Sequence, residues 1–224
     1  MFIMPENFGS DVNGDLPPLE MLEAFMDEVC SAFDCELCDF DYEAGATKLV
    51  LVFRDRDVVY KFPYKGYYTA QEEYDEEEDE YYETDVTEFI PFEKDNYCQI
   101  EYDFQENDIP PEFKVFFALC EKEEKDGITY YTQKKCVPMT ETAKNPYEDY
   151  KAGARIKREL CDDWVYPSFD IDWIDKAAAA YGEELVKDFL IWADINLSDM
   201  HRGNYGYKVE DGMPVIIDWG GYDE

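Results

Sequence analysis

Asp199, Asn204 and Asp218 are the side chains whose types and spacing best suit a defined chemistry in this chain. Asp199 opens the run Asp-Met-His-Arg-Gly-Asn, five residues before Asn204, and Asp218 closes the apolar run Pro214-Val215-Ile216-Ile217. An Asp, an Asn and a second Asp so arranged supply oxygen ligands or proton acceptors for one phosphate–metal centre. The alternative is that Asp and Asn serve there as ordinary turn residues. His201, the only histidine, lies inside the same loop. It either reaches a phosphate when protonated or holds the loop by a hydrogen bond, and the second role is the expected one.

A helix and a hairpin would have to position this loop. Ile174, Ala177, Ala178, Tyr181, Leu185, Phe189 and Trp192 are spaced as one stripe, which predicts a single long helix from Ile171 to Trp192 capped near Asp170 or Asp172. Tyr205-Gly-Tyr-Lys, a turn at Asp211-Gly212 and residues 214–217 predict a hairpin between Asn204 and Asp218. Upstream, residues 1–14 read as an arm. Leu22, Phe25, Met26, Val29 and Phe33 mark a helix face. Cys38–Tyr42, Lys48–Phe53 and Val58–Phe62 predict a three-stranded antiparallel meander, with a turn at Glu43-Ala-Gly-Ala46. A short helix is expected from Asn96 to Asn107, and two strands from Phe113 to Cys120 and from Ile128 to Val137. Residues 140–150 form a polar linker, followed by a basic patch of Lys151, Arg155, Lys157 and Arg158.

Of 224 residues, 46% are hydrophobic and 17% aromatic, enough for a core; 55 acidic against 20 basic residues give a net charge of −35. Such a charge repels nucleic acid and anionic membranes, and favours basic proteins or the nucleic-acid-binding surfaces of proteins. Solubility in a crowded cytoplasm is the plainer explanation. Ten of the fifteen residues from 71 to 85 are Asp or Glu, a block expected to stay solvated as a frayed helix or loop. Tyr74, Tyr81 and Tyr82 are interleaved with it and would add apolar area beside the charge in a basic groove. A tolerated surface insertion is the competing reading. No apolar run reaches the length of a membrane span and the N-terminus has no leader pattern, so the expected location is the cytoplasm. Seven cysteines at 30, 35, 38, 98, 120, 136 and 161 suggest reduced, buried thiols. Cys30, Cys35 and Cys38 alternatively suit a metal or a redox pair.

With these residues in view, Asp199-Met-His-Arg-Gly-Asn204 resembles the Asp-Leu-His-Pro-Gly-Asn loop of aminoglycoside and choline phosphotransferases, relatives of the protein kinases. Ile217-Asp218-Trp219-Gly220 resembles their metal-binding Ile-Asp-Trp. Val58-Val-Tyr-Lys61 resembles the third-strand lysine motif, and Glu101 is placed where the family has the glutamate that pairs with that lysine. The resemblance covers roughly residues 38–220 and implies an α+β, protein kinase-like two-lobed fold: a five-stranded antiparallel N-lobe sheet with a helix, and a minimal helical C-lobe. The implied division is 1–37 for the arm and helix, 38–139 for the sheet with an acidic insertion at 66–95, and 140–224 for the reduced C-lobe.

The resemblance also implies roles. Asp199 orients or deprotonates the attacking hydroxyl, Asn204 and Asp218 hold Mg²⁺, and Lys61, fixed by Glu101, contacts the phosphates of ATP bound between the lobes. Departures stand beside it. Leu197 replaces the His of His-x-Asp, the Glu43–Thr47 turn has one glycine, and the family's activation segment and substrate-site helices are not in the sequence. Two functions follow as expectations. One is a small phosphotransferase acting on a hydroxyl. The other is a catalytically weak, kinase-like acidic protein that mimics nucleic acid and blocks a basic host protein, as a phage or mobile element would require.

Overall fold

The computed structural model describes residues 19–44, 48–75, 80–91, 97–139, 153, 155–156, 159–160, 169–197 and 200–219. The N-terminal arm, the linker, Lys151, Lys157, Arg158, Cys161 and Asp199 lie outside the described residues. The protein is α+β and folds as two compact units, residues 1–100 with 121–132 and residues 101–120 with 133–224.

The first unit is a helix on a sheet. Helix α1 (Leu19–Phe33) is followed by β1 (Phe40–Ala44), β2 (Lys48–Phe53), β3 (Val58–Asp75) and β4 (Glu80–Pro91). β5 (Cys120–Lys125) and β6 (Ile128–Lys134) come later in the chain. They complete a five-stranded antiparallel sheet in the order β1-β2-β3-β6-β5, with β4 paired to β3. Strand alternation puts Leu49, Leu51 and Phe53 on one face, where they meet the predicted α1 stripe of Leu22, Phe25, Met26, Val29 and Phe33. Phe33 is the keystone. Its ring meets those of Tyr60, Phe62 and Tyr130 edge-on at 5.8, 5.6 and 5.0 Å. Burying each such ring is worth roughly 1.5–3 kcal/mol.

The described residues of the acidic block, 71–75 and 80–85, are strand and not frayed helix or loop. β3 continues to Asp75 and pairs with β4 residue by residue, from Tyr64↔Pro91 to Asp75↔Glu80. The physical reason lies in the flanks: Tyr, Thr, Val, Phe and Ile recur through 64–69 and 81–90, and these side chains favour an extended, pleated backbone. The third strand, expected to stop at Phe62, is accordingly eighteen residues long.

The second unit is built around aromatic rings. Helix α2 (Tyr97–Asn107) runs into it as expected. The strand expected over Phe113–Cys120 is instead a 3₁₀ turn (Lys114–Phe116) and a short extended stretch. After Pro110 the chain closes successive tight turns, with Phe113, Phe116 and Phe117 donating to the carbonyls of Pro110, Phe113 and Lys114. This turns Phe116 onto Phe189, stacked at 4.1 Å, as a strand could not. The single long helix is two, α3 (Ile171–Tyr181) and α4 (Glu183–Asn196). Gly182 breaks it at φ +94°, ψ 143°, a conformation glycine adopts readily and other residues do not. Phe189 and Trp173 from the two helices, with Phe169, are fully buried. A second sheet, β7 (Cys136–Pro138), β8 (Tyr205–Lys208) and β9 (Pro214–Ile216), is antiparallel throughout and contains the predicted hairpin. Among the described residues, no helix is long and apolar enough to cross a membrane.

Candidate functional site

The loop after α4 is shaped by its own short bonds. Leu197, half-buried, caps α4 through its N–H to the Ala193 carbonyl at 2.9 Å. The Gly203 N–H donates to His201 Nδ1 at 3.0 Å, and the Asn204 N–H to the His201 carbonyl at 2.9 Å. His201 therefore has the loop-holding role expected of it, and Nδ1 serves as an acceptor. A Cβ on Gly203 would lie 2.8 Å from His201 Cε1, so this tight turn favours glycine. Arg202 anchors the other side. Its Nη2 donates to the Met139 carbonyl at 2.7 Å, and its Nη1 lies 2.9 Å from Asp170 Oδ2, an ion pair off the angle of a hydrogen bond.

The Asn204 carbonyl then accepts two N–H groups, from Ile217 at 2.7 Å and from Asp218 at 3.1 Å. Two of the residues singled out from sequence, fourteen positions apart, thus leave the backbone from points one hydrogen bond apart. β9 beneath them is pinned on both sides. Tyr205↔Ile216 pairs it with β8, and Ala118 donates to the Ile216 carbonyl at 2.8 Å. Gln133, 2% exposed, donates from Nε2 to the carbonyls of both Ala118 and Ile217. Its Oε1 is buried without a hydrogen-bond partner. Nothing in the sequence marked Gln133, a polar residue ending a strand of buried positions.

Trp219 follows Asp218 and is 1% exposed. Its ring meets Phe117 edge-on at 5.3 Å, and its Nε1–H donates to the carbonyl of Glu101 at 3.2 Å. The Asp-Trp segment therefore reaches α2 at the residue assigned the lysine-pairing role. The Glu101 side chain is buried, and Gln105 one turn on clamps α2 to the start of β5: its Nε2 donates to the Cys120 carbonyl at 2.9 Å and its Oε1 accepts the Cys120 N–H at 2.7 Å. Lys61 is on β3, in register with Val50, on the face opposite Phe62, and is 3% exposed. Lys61 and Glu101 each have partners, as buried charges require.

β8 completes the frame. The Trp173 Nε1–H donates to the Gly206 carbonyl at 3.2 Å, and the Tyr205 hydroxyl accepts the Asp170 N–H at 3.1 Å. Burial pushes the Tyr181 and Tyr207 hydroxyls up to about 12. Tyr181 donates its proton to the Pro214 carbonyl at 3.0 Å.

No family model, curated protein or solved structure matches the chain.

Arg155, from the basic patch, is exposed and pairs with carboxylates at the surface: it meets Glu183 and Glu159, and Lys187 joins Glu159 at 2.8 Å. The described residues contain no group of three or more His, Cys, Asp or Glu able to hold a metal ion. Asn204 and Asp218 still offer a donor set that suits Mg²⁺, which takes one or two carboxylate or amide oxygens and fills its remaining positions with water and phosphate oxygens.

Proposed function

We propose that the chain is a small kinase-like phosphotransferase that binds Mg-ATP and passes the γ-phosphate to a hydroxyl. The observation that carries this reading is the shared Asn204 carbonyl, which sets the origins of two hard-oxygen side chains beside each other at the ends of the buried strands β8 and β9. Phosphoryl transfer needs little else from a protein than positioned charge. Asn204 and Asp218 would hold the cation, and the cation would neutralise the phosphates when bound. Asp199 takes the hydroxyl-orienting role, Lys61 the phosphate-contact role and Glu101 the lysine-fixing role of the family resemblance; Lys61 and Glu101 are each buried in their own unit. Two-lobed, kinase-like topology with a reduced helical lobe belongs to the same proposal.

The test is thermal unfolding with and without Mg-ATP, together with transfer from γ-labelled ATP. A ligand at a hundred times its Kd stabilises by about 2.7 kcal/mol, which for a chain of this size raises Tm by roughly 5–10 °C. Asp218→Ala should remove the shift. No shift in the parent protein, with no labelled product on any added protein or on the chain itself, ends this reading.

A second reading is favoured by a different observation. The acidic ribbon of β3 and β4 sets Glu72 opposite Glu83 and Asp75 opposite Glu80. Like charges so placed destabilise a ladder, and a basic surface would relieve them. On this reading the protein binds the nucleic-acid-binding face of another protein, and its phosphotransfer chemistry is weak or silent. Partner binding that falls with salt, and falls further when the 71–85 carboxylates become Ser and Gln, supports it. Binding unchanged by that neutralisation removes the ribbon from the account.

A further inference from the structure

The end of α1 brings two thiols together. Asp34 has φ +51°, and the Cys35 N–H donates to the Cys30 carbonyl at 3.1 Å. This is the six-to-one bond of a Schellman cap, in which the side chains at these two positions meet, usually as an apolar pair. Here both are cysteines, and each thiol is near enough to act on the ionisation of the other. We propose that Cys30 and Cys35 are a redox-active dithiol, a site at which a small-molecule disulfide oxidises the chain to an intrachain Cys30–Cys35 disulfide.

The surroundings divide the labour between the two sulfurs. Cys35 lines an open recess of about 550 Å³ with Cys38, Phe53, Arg54 and Arg56. An incoming disulfide therefore has room to reach it. Burial raises the Cys35 thiol, while the neighbouring Cys30 thiol and the charges of Arg56 and Lys125 act the other way. Asp39 opposes them. Cys30 is pushed up to about 12, first by burial and then by Cys35. Cys35 is accordingly the entry point and Cys30 the resolving thiol. Arg56 is held in place by stacking on Phe53 and Tyr60 at 4.2 and 5.1 Å and by donating to the Tyr60 hydroxyl at 2.7 Å.

The step balances. The Cys35 thiolate attacks one sulfur of the small disulfide, forming a mixed disulfide and expelling one small thiolate with the electron pair of the broken S–S bond. Cys30, once deprotonated, attacks Cys35 Sγ and expels the second small thiolate. Two protein thiols are oxidised by two electrons, one disulfide is reduced to two thiols, and the two protons from the cysteines pass to the departing thiolates.

Cleavage after Glu28, Glu36 and Glu43 separates Cys30 and Cys35, on Val29–Glu36, from Cys38, on Leu37–Glu43. The full chain is incubated with oxidised glutathione, quenched in acid, alkylated and mapped by mass. The expected product is Val29–Glu36 two hydrogens lighter and unalkylated, with Leu37–Glu43 alkylated. Cys30→Ser should trap glutathione on Cys35. A cross-link from Val29–Glu36 to Leu37–Glu43, a mixed disulfide that persists in the parent chain, or two free thiols at 30 and 35 after conditions that thiolate Cys38 would each overturn the proposal. So would a Cys30→Ser chain that carries glutathione on Cys38 and none on Cys35.

Discussion

Gly206→Ala should unfold the frame that holds Asn204 and Asp218 in register, although it adds only a methyl group. Gly206 lies on β8 opposite Pro138 of β7. A Cβ there would sit 2.0 Å from the Val137 carbonyl oxygen, 2.8 Å from its carbon and 2.9 Å from Pro138 Cα. All three are backbone atoms, so no side-chain rotation relieves the clash, and the strands must separate by more than an ångström. Overpacking of this kind costs about 1–3 kcal/mol. Separating β7 from β8 also forfeits ladder bonds at about 1 kcal/mol each, and moves the Gly206 carbonyl from Trp173. The expected loss is at least about 3 kcal/mol. Gly203→Ala is the control. Its Cβ meets only the His201 side chain, which can rotate away at the loss of one hydrogen bond, about 1 kcal/mol. Urea denaturation followed by tryptophan fluorescence measures both. A Gly206→Ala chain within about 1 kcal/mol of the parent, or a Gly203→Ala chain equally damaged, would refute the close approach of β7 and β8.

Trp219→Phe keeps an aromatic ring against Phe117 but removes the donor to the Glu101 carbonyl. The expected cost is roughly 1–2 kcal/mol in urea titrations. Gln105→Leu removes both bonds to the Cys120 backbone and should cost on the order of 2–4 kcal/mol; a loss under about 1 kcal/mol would count against the clamp. Tyr130, Tyr181 and Tyr207 are all raised to about 12, chiefly by burial. The unfolded chain ionises near pH 10, so the stability that these neutral hydroxyls confer is complete below pH 10 and lost between pH 10 and 12. Tyrosinate absorbance should rise in step with unfolding across that window, and Tyr181→Phe should flatten the alkaline limb.

What the sequence revealed follows the kind of signal that each element carries. The α1 stripe and strand β2 are periodic in buried residues, and the backbone follows them. The stripe from Ile174 to Trp192 is equally periodic, yet it spans two helices. Tyr181 and Glu183 both keep helical neighbours, and only Gly182 between them departs, so a pattern of side chains does not register the break. In the acidic block, charge density pointed to a loop, while the Tyr, Thr and Val on either side dictated a ladder. Phe113–Cys120 is apolar enough for a strand, but Pro110 and Pro111 deliver it as tight turns. At the candidate site, the backbone joins residues 204 and 218. The bonds that do so run from main-chain N–H groups to a main-chain carbonyl, which leaves no residue-type signature.

The link between Asn204 and Asp218 is made by main chain alone on both sides. Any residue at 204 offers the same carbonyl, and any residue other than proline at 217 and 218 offers the same N–H. Backbone architecture and side-chain chemistry are therefore separable here. A lineage can exchange the side chains at 204 and 218, gaining or silencing a reaction, while this backbone link remains in place. Intact loop geometry in a variant would then say nothing of reactivity, and only the identity of those two side chains would bear on the proposed chemistry.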